Sequence, residues 1–382
     1  MGLYFGGCHD TTSKYKEVEI NSLVDYLTQS NNFKIPSTTT ELRDGCFRFW
    51  YNLPSMEIPE SVTSLGDYCF NQCYSLQSVN IPSSVTSLGM GCFSECNSLP
   101  TVTIPNSVTS LGDSCFETCQ VLQTVTFEDG CQVTELPDYC FFGCYNLYNI
   151  NIPESVSYIG NRCFSNCSSL PSLQMSDNVT TLGQICFYYC QNLQDVRLSN
   201  SLVEIPYGCF YACTALSHID IPHSVKYLGQ QAFCNCLSLS EITIPNSVEN
   251  IAQHCFAYAP LATINFEDGC QIKELNGFSY LQNIQNLIQI PEGVESLGAG
   301  CFYQSQNVME VQLPETLTSI GAQAFHGCQC MPFITIPSNV EYIADSAFWE
   351  CYNLQTITIN KPEGSIAGAP WGAPSATVVW NG

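Results

Sequence analysis

The sequence predicts a repeat solenoid of parallel β-strands with about 15 coils, and three observations point to it. An apolar-proline dipeptide or its substitute starts at Ile35, Ile58, Ile81, Ile104, Phe127, Ile152, Met175, Leu198, Ile221, Ile244, Phe266, Ile290, Leu313, Ile336 and Ile359, in steps of 22 to 25 residues that are mostly 23. Before each dipeptide the apolar residues alternate for only a few positions, the period of a short strand. Finally, no single unit buries its apolar face alone, so neighbouring units must stack to share one core.

One unit, "LQSVNIPSSVTSLGMGCFSEC" from Leu76 to Cys96, shows each element in order. Leu76, Val79 and Ile81 point inward from the strand, and Pro82 ends it because proline donates no ladder hydrogen bond. Val85 and Leu88 supply a second inward pair on the return side, and Gly89 permits a tight corner. "GCFSEC" is too short for a stable helix, so a single helical or 3₁₀ turn is expected there. Parallel strands ~4.8 Å apart would make fifteen coils a rod roughly 70 Å long.

The pattern L-x-x-[VI]-x-I-P-x-x-V-x-x-[IL]-G-x-x-[AC]-F-x-x-C resembles the BspA-type leucine-rich repeats over about residues 30 to 360. The resemblance implies a leucine-rich-repeat solenoid, with parallel strands on the concave face and short strand, 3₁₀ or helical turns on the return side. It also implies binding or adhesion and no catalysis. The chain departs from the pattern in one respect. Relatives carry Ala before the Phe, as at Ala232, Ala324 and Ala347, whereas most units here carry Cys.

Seven consecutive units keep both cysteines, from "CFNQC" at Cys69 to "CFYAC" ending at Cys213. The first Cys exchanges with Ala in three units, and the second with Ala259, Leu281 and Ser305. A slot that accepts Cys, Ala, Leu or Ser is a small core slot, and free Cys packs as a small hydrophobe. Zinc needs a second ligand pair, and C-x₃-C comes here with no His in register. Cysteines of adjacent coils lie within bridging distance, but their Cβ vectors run side by side, which strains a disulfide. Buried thiols are therefore expected ahead of bridges or metal, and no cofactor is implied. The Phe that follows is kept from Phe47 to Phe348 and predicts an aromatic stack.

Composition narrows the partners. The net charge of -24 comes with only 10 Lys+Arg, so no basic stripe exists for nucleic acid or an anionic membrane. No apolar run is long enough to span a bilayer, so no membrane insertion is expected. The opening "MGLYFGGCHDTTSKYKEVEI" lacks the basic start and apolar core of an export signal. With so many cysteines, this favours a cytoplasmic or intracellular setting, or an assembled particle, over secretion.

Three regions are expected: an N-terminal cap over 1–30, the solenoid over 31–360 and a C-terminal cap strand over 361–382. In the first, Ile20, Leu23, Val24 and Leu27 have helical spacing. In the last, Val378 and Trp380 alternate as a strand laid on the final coil. "FEDGCQVTEL" (127–136) and "FEDGCQIKEL" (266–275) mark turns. Their paired carboxylates lack a calcium-loop scaffold.

Residues on either side of the inner strand residue point outward onto the concave face. Most of these are Ser, Thr, Asn or Gln; the exception is a cluster of Asp195, Arg197, His218, Asp220 and Glu241. Ser172, Asp195 and His218 share a column, but ~10 Å across two coils is beyond a catalytic Ser–His contact. No nucleophile elbow, phosphate loop or zinc-protease motif is present either. The sequence thus reads as a non-enzymatic scaffold that binds a protein partner, with the cluster as its anchor. The plainer expectation for the cluster is a surface charge network, with His218 between two acids and Arg197 on Asp220. The competing functional readings are a structural component of a larger assembly (a virion decoration or a filament-bound protein) and a cell-surface adhesin.

Overall fold

A computed structural model describes residues 34–285, 287–373 and 375–382. The helix expected around Ile20–Leu27 lies outside the described residues. The chain divides into two units, Met1–Val179 and Thr180–Gly382, and each is a stack of parallel-strand coils. In the first unit the longer strands are Ser55–Glu57, Ser78–Asn80, Thr101–Ile104, Thr124–Phe127 and Ser172–Gln174, with two-residue Asn149–Ile150 in the same column. The second unit repeats the arrangement from Asp195–Arg197 to Thr356–Ile359. Equivalent residues pair one coil apart, as Val102 with Val125 and Ile334 with Ile357. Thr101 and Thr103 are exposed while Val102 and Ile104 are buried, the alternation of a strand with one wet face. Two-residue strands such as Ser64–Leu65, Ser87–Leu88 and Ser110–Leu111 form the return ladder.

The helical or 3₁₀ turn expected at "GCFSEC" is not what forms: no helix occurs among the described residues. The segment is a chain of turns whose N–H groups alternate in direction. Cys92, Ser94 and Cys96 donate three residues back, to Gly89, Gly91 and Phe93. Gly91, Phe93 and Glu95 instead donate to the next coil, to Asp113, Cys115 and Glu117, at 2.7–2.8 Å. An α-helix would direct all of them along its own axis. Left-handed backbone at Gly91 (φ 56°) and Glu95 (φ 59°) produces the alternation. At a non-glycine residue that conformation costs roughly 1–2 kcal/mol, which the bonds between coils offset.

The Phe residues behind these corners stack in both units. Phe70 and Phe116 lie 5.2 and 5.5 Å from Phe93, with planes within 5°. In the second unit Phe210, Phe233 and Phe256 repeat this at 5.5 and 5.3 Å. The spacing exceeds the strand repeat, as offset rings require. After the last coil, Thr377–Trp380 pairs in parallel with Thr356–Ile359, beside a buried Trp371 that donates to the Ala367 carbonyl at 2.7 Å. No helix of the described residues is long and apolar enough to cross a membrane.

Candidate functional site

The cysteines belong to the core, and the second of each pair has a defined role there. All described cysteines except Cys46 and Cys330 are buried, and no disulfide joins them. The Cys96 thiol donates to the Phe70 carbonyl at 3.2 Å, Cys119 to Phe93 at 3.0 Å, and Cys236 to Phe210 at 3.2 Å. Ser305, in the same slot, donates its Oγ–H to the Phe278 carbonyl at 3.0 Å. Where Cys or Ser fills the slot it donates to a Phe carbonyl of the preceding coil, whereas Ala259 and Leu281 fill it by packing alone. Burial pushes the Cys73, Cys119 and Cys351 thiols up to about 12, and raises Cys96 and Cys213 as well. A thiol so far above neutrality is a poor nucleophile and a poor metal ligand. No group of three or more His, Cys, Asp or Glu among the described residues is arranged to hold a metal ion.

The two "FEDG" carboxylates act between coils. Glu128 accepts from the Asn106 N–H at 3.1 Å, and the Asn106 amide donates to the Asp129 carbonyl. Glu267 repeats this clasp with Asn246 and also meets His223 Nε2 at 3.0 Å.

On the strand face, exposed Asp195 and Arg197 flank buried Val196. Exposed His218 and Asp220 flank buried Ile219, and Glu241 precedes buried Ile242. All five thus lie on one face of three successive coils. His218 Nε2 meets Asp220 Oδ1 at 2.9 Å, with the two side chains 63% and 94% exposed. Asp220 is therefore in contact with the His two residues before it in its own coil. Both flank buried Ile219 on its exposed side, so this pair is local. An exposed pair of this kind contributes little stability.

A stack of short parallel strands with a polar outer face and apolar inner columns is a leucine-rich-repeat scaffold. The chain belongs to the family described as BspA type leucine rich repeat region (6 copies), which matches residues 18–144, 134–263 and 249–368. Among solved structures it is similar to a leucine rich cell surface protein of Faecalibacterium prausnitzii A2-165, at 26% identity and a TM-score of 0.50, covering 88% of this chain and 86% of that one. It is also similar to a leucine-rich repeat protein of Bacteroides ovatus ATCC 8483, at 21% identity and a TM-score of 0.47, covering 90% and 87%. No curated protein matches the chain.

Proposed function

We propose that the chain is a non-enzymatic scaffold that binds a protein partner through the outer face of its longer strands, anchored by Asp195, Arg197, His218, Asp220 and Glu241. The observation that carries this reading is the contrast along that face. Neighbouring positions offer Thr, Ser and Asn, whereas these five place both charge signs within three coils. Arg197 is the sharpest anchor, because Lys+Arg number only 10 in the chain and Arg is enriched in interface hot spots. An adhesive role on a cell surface draws support from the likeness to the F. prausnitzii surface protein. We further infer that residues 1–30 and 361–382 close the two ends of the array, since an open end would expose core.

The test is the double substitution Arg197→Ala with His218→Ala, assayed for partner capture beside circular dichroism. A folded double mutant is expected to lose capture. Undiminished capture would move the interface to another face, and recovery of the protein in a stoichiometric particle would favour a structural component.

A further inference from the structure

One corner of the second unit is built differently from all the others. In thirteen of fourteen coils four residues separate the return-strand Leu or Ile from the stacked Phe, as Gly89 to Cys92 do between Leu88 and Phe93. Between Leu275 and Phe278 there are two, Asn276 and Gly277. Gly277 has φ +94°, and a Cβ there would meet Ile251 Cγ2 at 2.6 Å, so only glycine closes the shortened corner.

The deletion removes a rung of the ladder. In most other corners the third residue after the return strand donates its N–H to the next coil, as Gly91 to Asp113 at 2.8 Å, Gly208 to Gln230 at 3.0 Å and Gly300 to Ala322 at 2.9 Å, though Gln231 and Gln323 make no such bond among the described residues. His254 holds that position one coil before the deletion. Among the described residues its N–H has no acceptor, and the Ala299 carbonyl on the far side has no donor. Between them lies a notch of about 360 Å³, within the size range of small-ligand sites.

Tyr280 and Tyr303 line this notch together with Gln253, His254 and Gln323. Each tyrosine ring is fixed by a stacking partner: Tyr280 by Tyr258 at 4.5 Å, and Tyr303 by His326 at 4.7 Å. His254 Nδ1 is held by the buried Ser279 hydroxyl at 2.8 Å, which leaves Nε2 for another partner. The site therefore offers aromatic surface, two amides, an imidazole nitrogen, a backbone N–H and a backbone carbonyl. No Lys, Arg, Asp or Glu lines it.

We propose that this notch binds one pyranose ring of a neutral glycan. A sugar ring presents C–H patches to aromatic rings and hydroxyls that both donate and accept, which matches the mixed lining. A purely apolar ligand would leave the amides and the open backbone groups without partners. Phosphates, nucleotides and acidic sugars find no cation there and face a chain of net charge -24. The site lies at the coil corners, so it is independent of the strand-face interface proposed above.

Saturation-transfer NMR on the full chain tests this, with methyl glucoside, mannoside, galactoside and N-acetylglucosaminide as probes and adenosine as the comparison. Transfer to at least one sugar is expected. Ala322→Trp, at an exposed position on the rim, should fill the notch and weaken that binding by about tenfold or more. Tyr280→Ala should do the same by removing a ring, with circular dichroism confirming the fold. Restoring the corner by inserting Ala-Gly between Asn276 and Gly277 should abolish binding in a folded protein. Arg197→Ala should leave it unchanged. The proposal is overturned by no transfer to any sugar, by transfer that Ala322→Trp leaves intact, or by adenosine binding above every sugar.

Discussion

The corners at Leu88–Phe93 and Leu275–Phe278 perform the same task with four residues and with two. In the longer one, Gly91, Phe93 and Glu95 each donate to the next coil. Phe93 there sits evenly between its neighbours, at 5.2 and 5.5 Å. In the shorter one, Phe278 keeps its place at 5.3 Å from Phe256 but drifts to 6.1 Å from Phe302, with planes 19° apart. The Phe column survives the deletion, and Glu274–Leu275 pairs in register with Ser296–Leu297 on the far side; the hydrogen-bond rung and the close packing of the corner do not survive. The core column thus holds the coils in register, while the corner is free to become a recess.

The largest expected effect concerns the thiols, which are dense in regular coils and are replaced by Gly277 and Leu281 in the short one. Cys73, Cys119 and Cys351 rise from 9.0 to about 12 on folding, so the folded chain keeps protons that the unfolded chain releases. Their contribution is complete below about pH 9 and is lost as pH climbs toward about 12, at up to roughly 4 kcal/mol per thiol. Urea midpoints should therefore fall steeply above about pH 9; a flat alkaline profile would contradict burial.

Next in size is the aromatic column. Phe93→Ala should cost about 3–5 kcal/mol, because stacked coils cannot close the cavity. Phe278→Ala should cost less, since the looser corner relaxes around it. Denaturant titration of both variants decides, and a larger loss at Phe278 would reverse the comparison.

The smallest effect separates two occupants of the second cysteine slot. Ser305 also accepts from the Leu281 N–H at 3.0 Å, so Ser305→Ala leaves a buried donor unmet and should cost about 1–3 kcal/mol. Cys96→Ala removes a donor but leaves no acceptor unmet, because the Phe70 carbonyl still accepts from Cys73 N–H, and should cost nearer 1 kcal/mol. Equal losses would show that the slot senses size alone.

Much of this was legible in the sequence. The 23-residue register, Pro82 and its equivalents and the invariant Phe define coils, strands and stack through local chemistry. The corner was misread because "GCFSEC" suits a helical turn equally well, and what decides is the bonding between coils, which no local window contains. The exchange of Cys for Ser305 already hinted that the slot can hold a donor, while Ala259 and Leu281 show that it does not require one. The nearness of His218 to Asp220 was legible in their alternation about Ile219. The notch was countable as the short span from Leu275 to Phe278, but its tyrosine lining emerges only when neighbouring coils are stacked.

The most direct test of the account is a thiol titration with an aromatic disulfide reagent, on native and unfolded protein, beside an intact mass. Of the cysteines from Cys46 to Cys351, exposed Cys330 should react promptly and half-buried Cys46 slowly, with the remainder reacting only after unfolding. The mass should correspond to the fully reduced chain. Prompt reaction of many thiols in the native protein, or a mass reduced by bridges such as Cys92 to Cys115, would contradict a core built from buried, hydrogen-bonded cysteines.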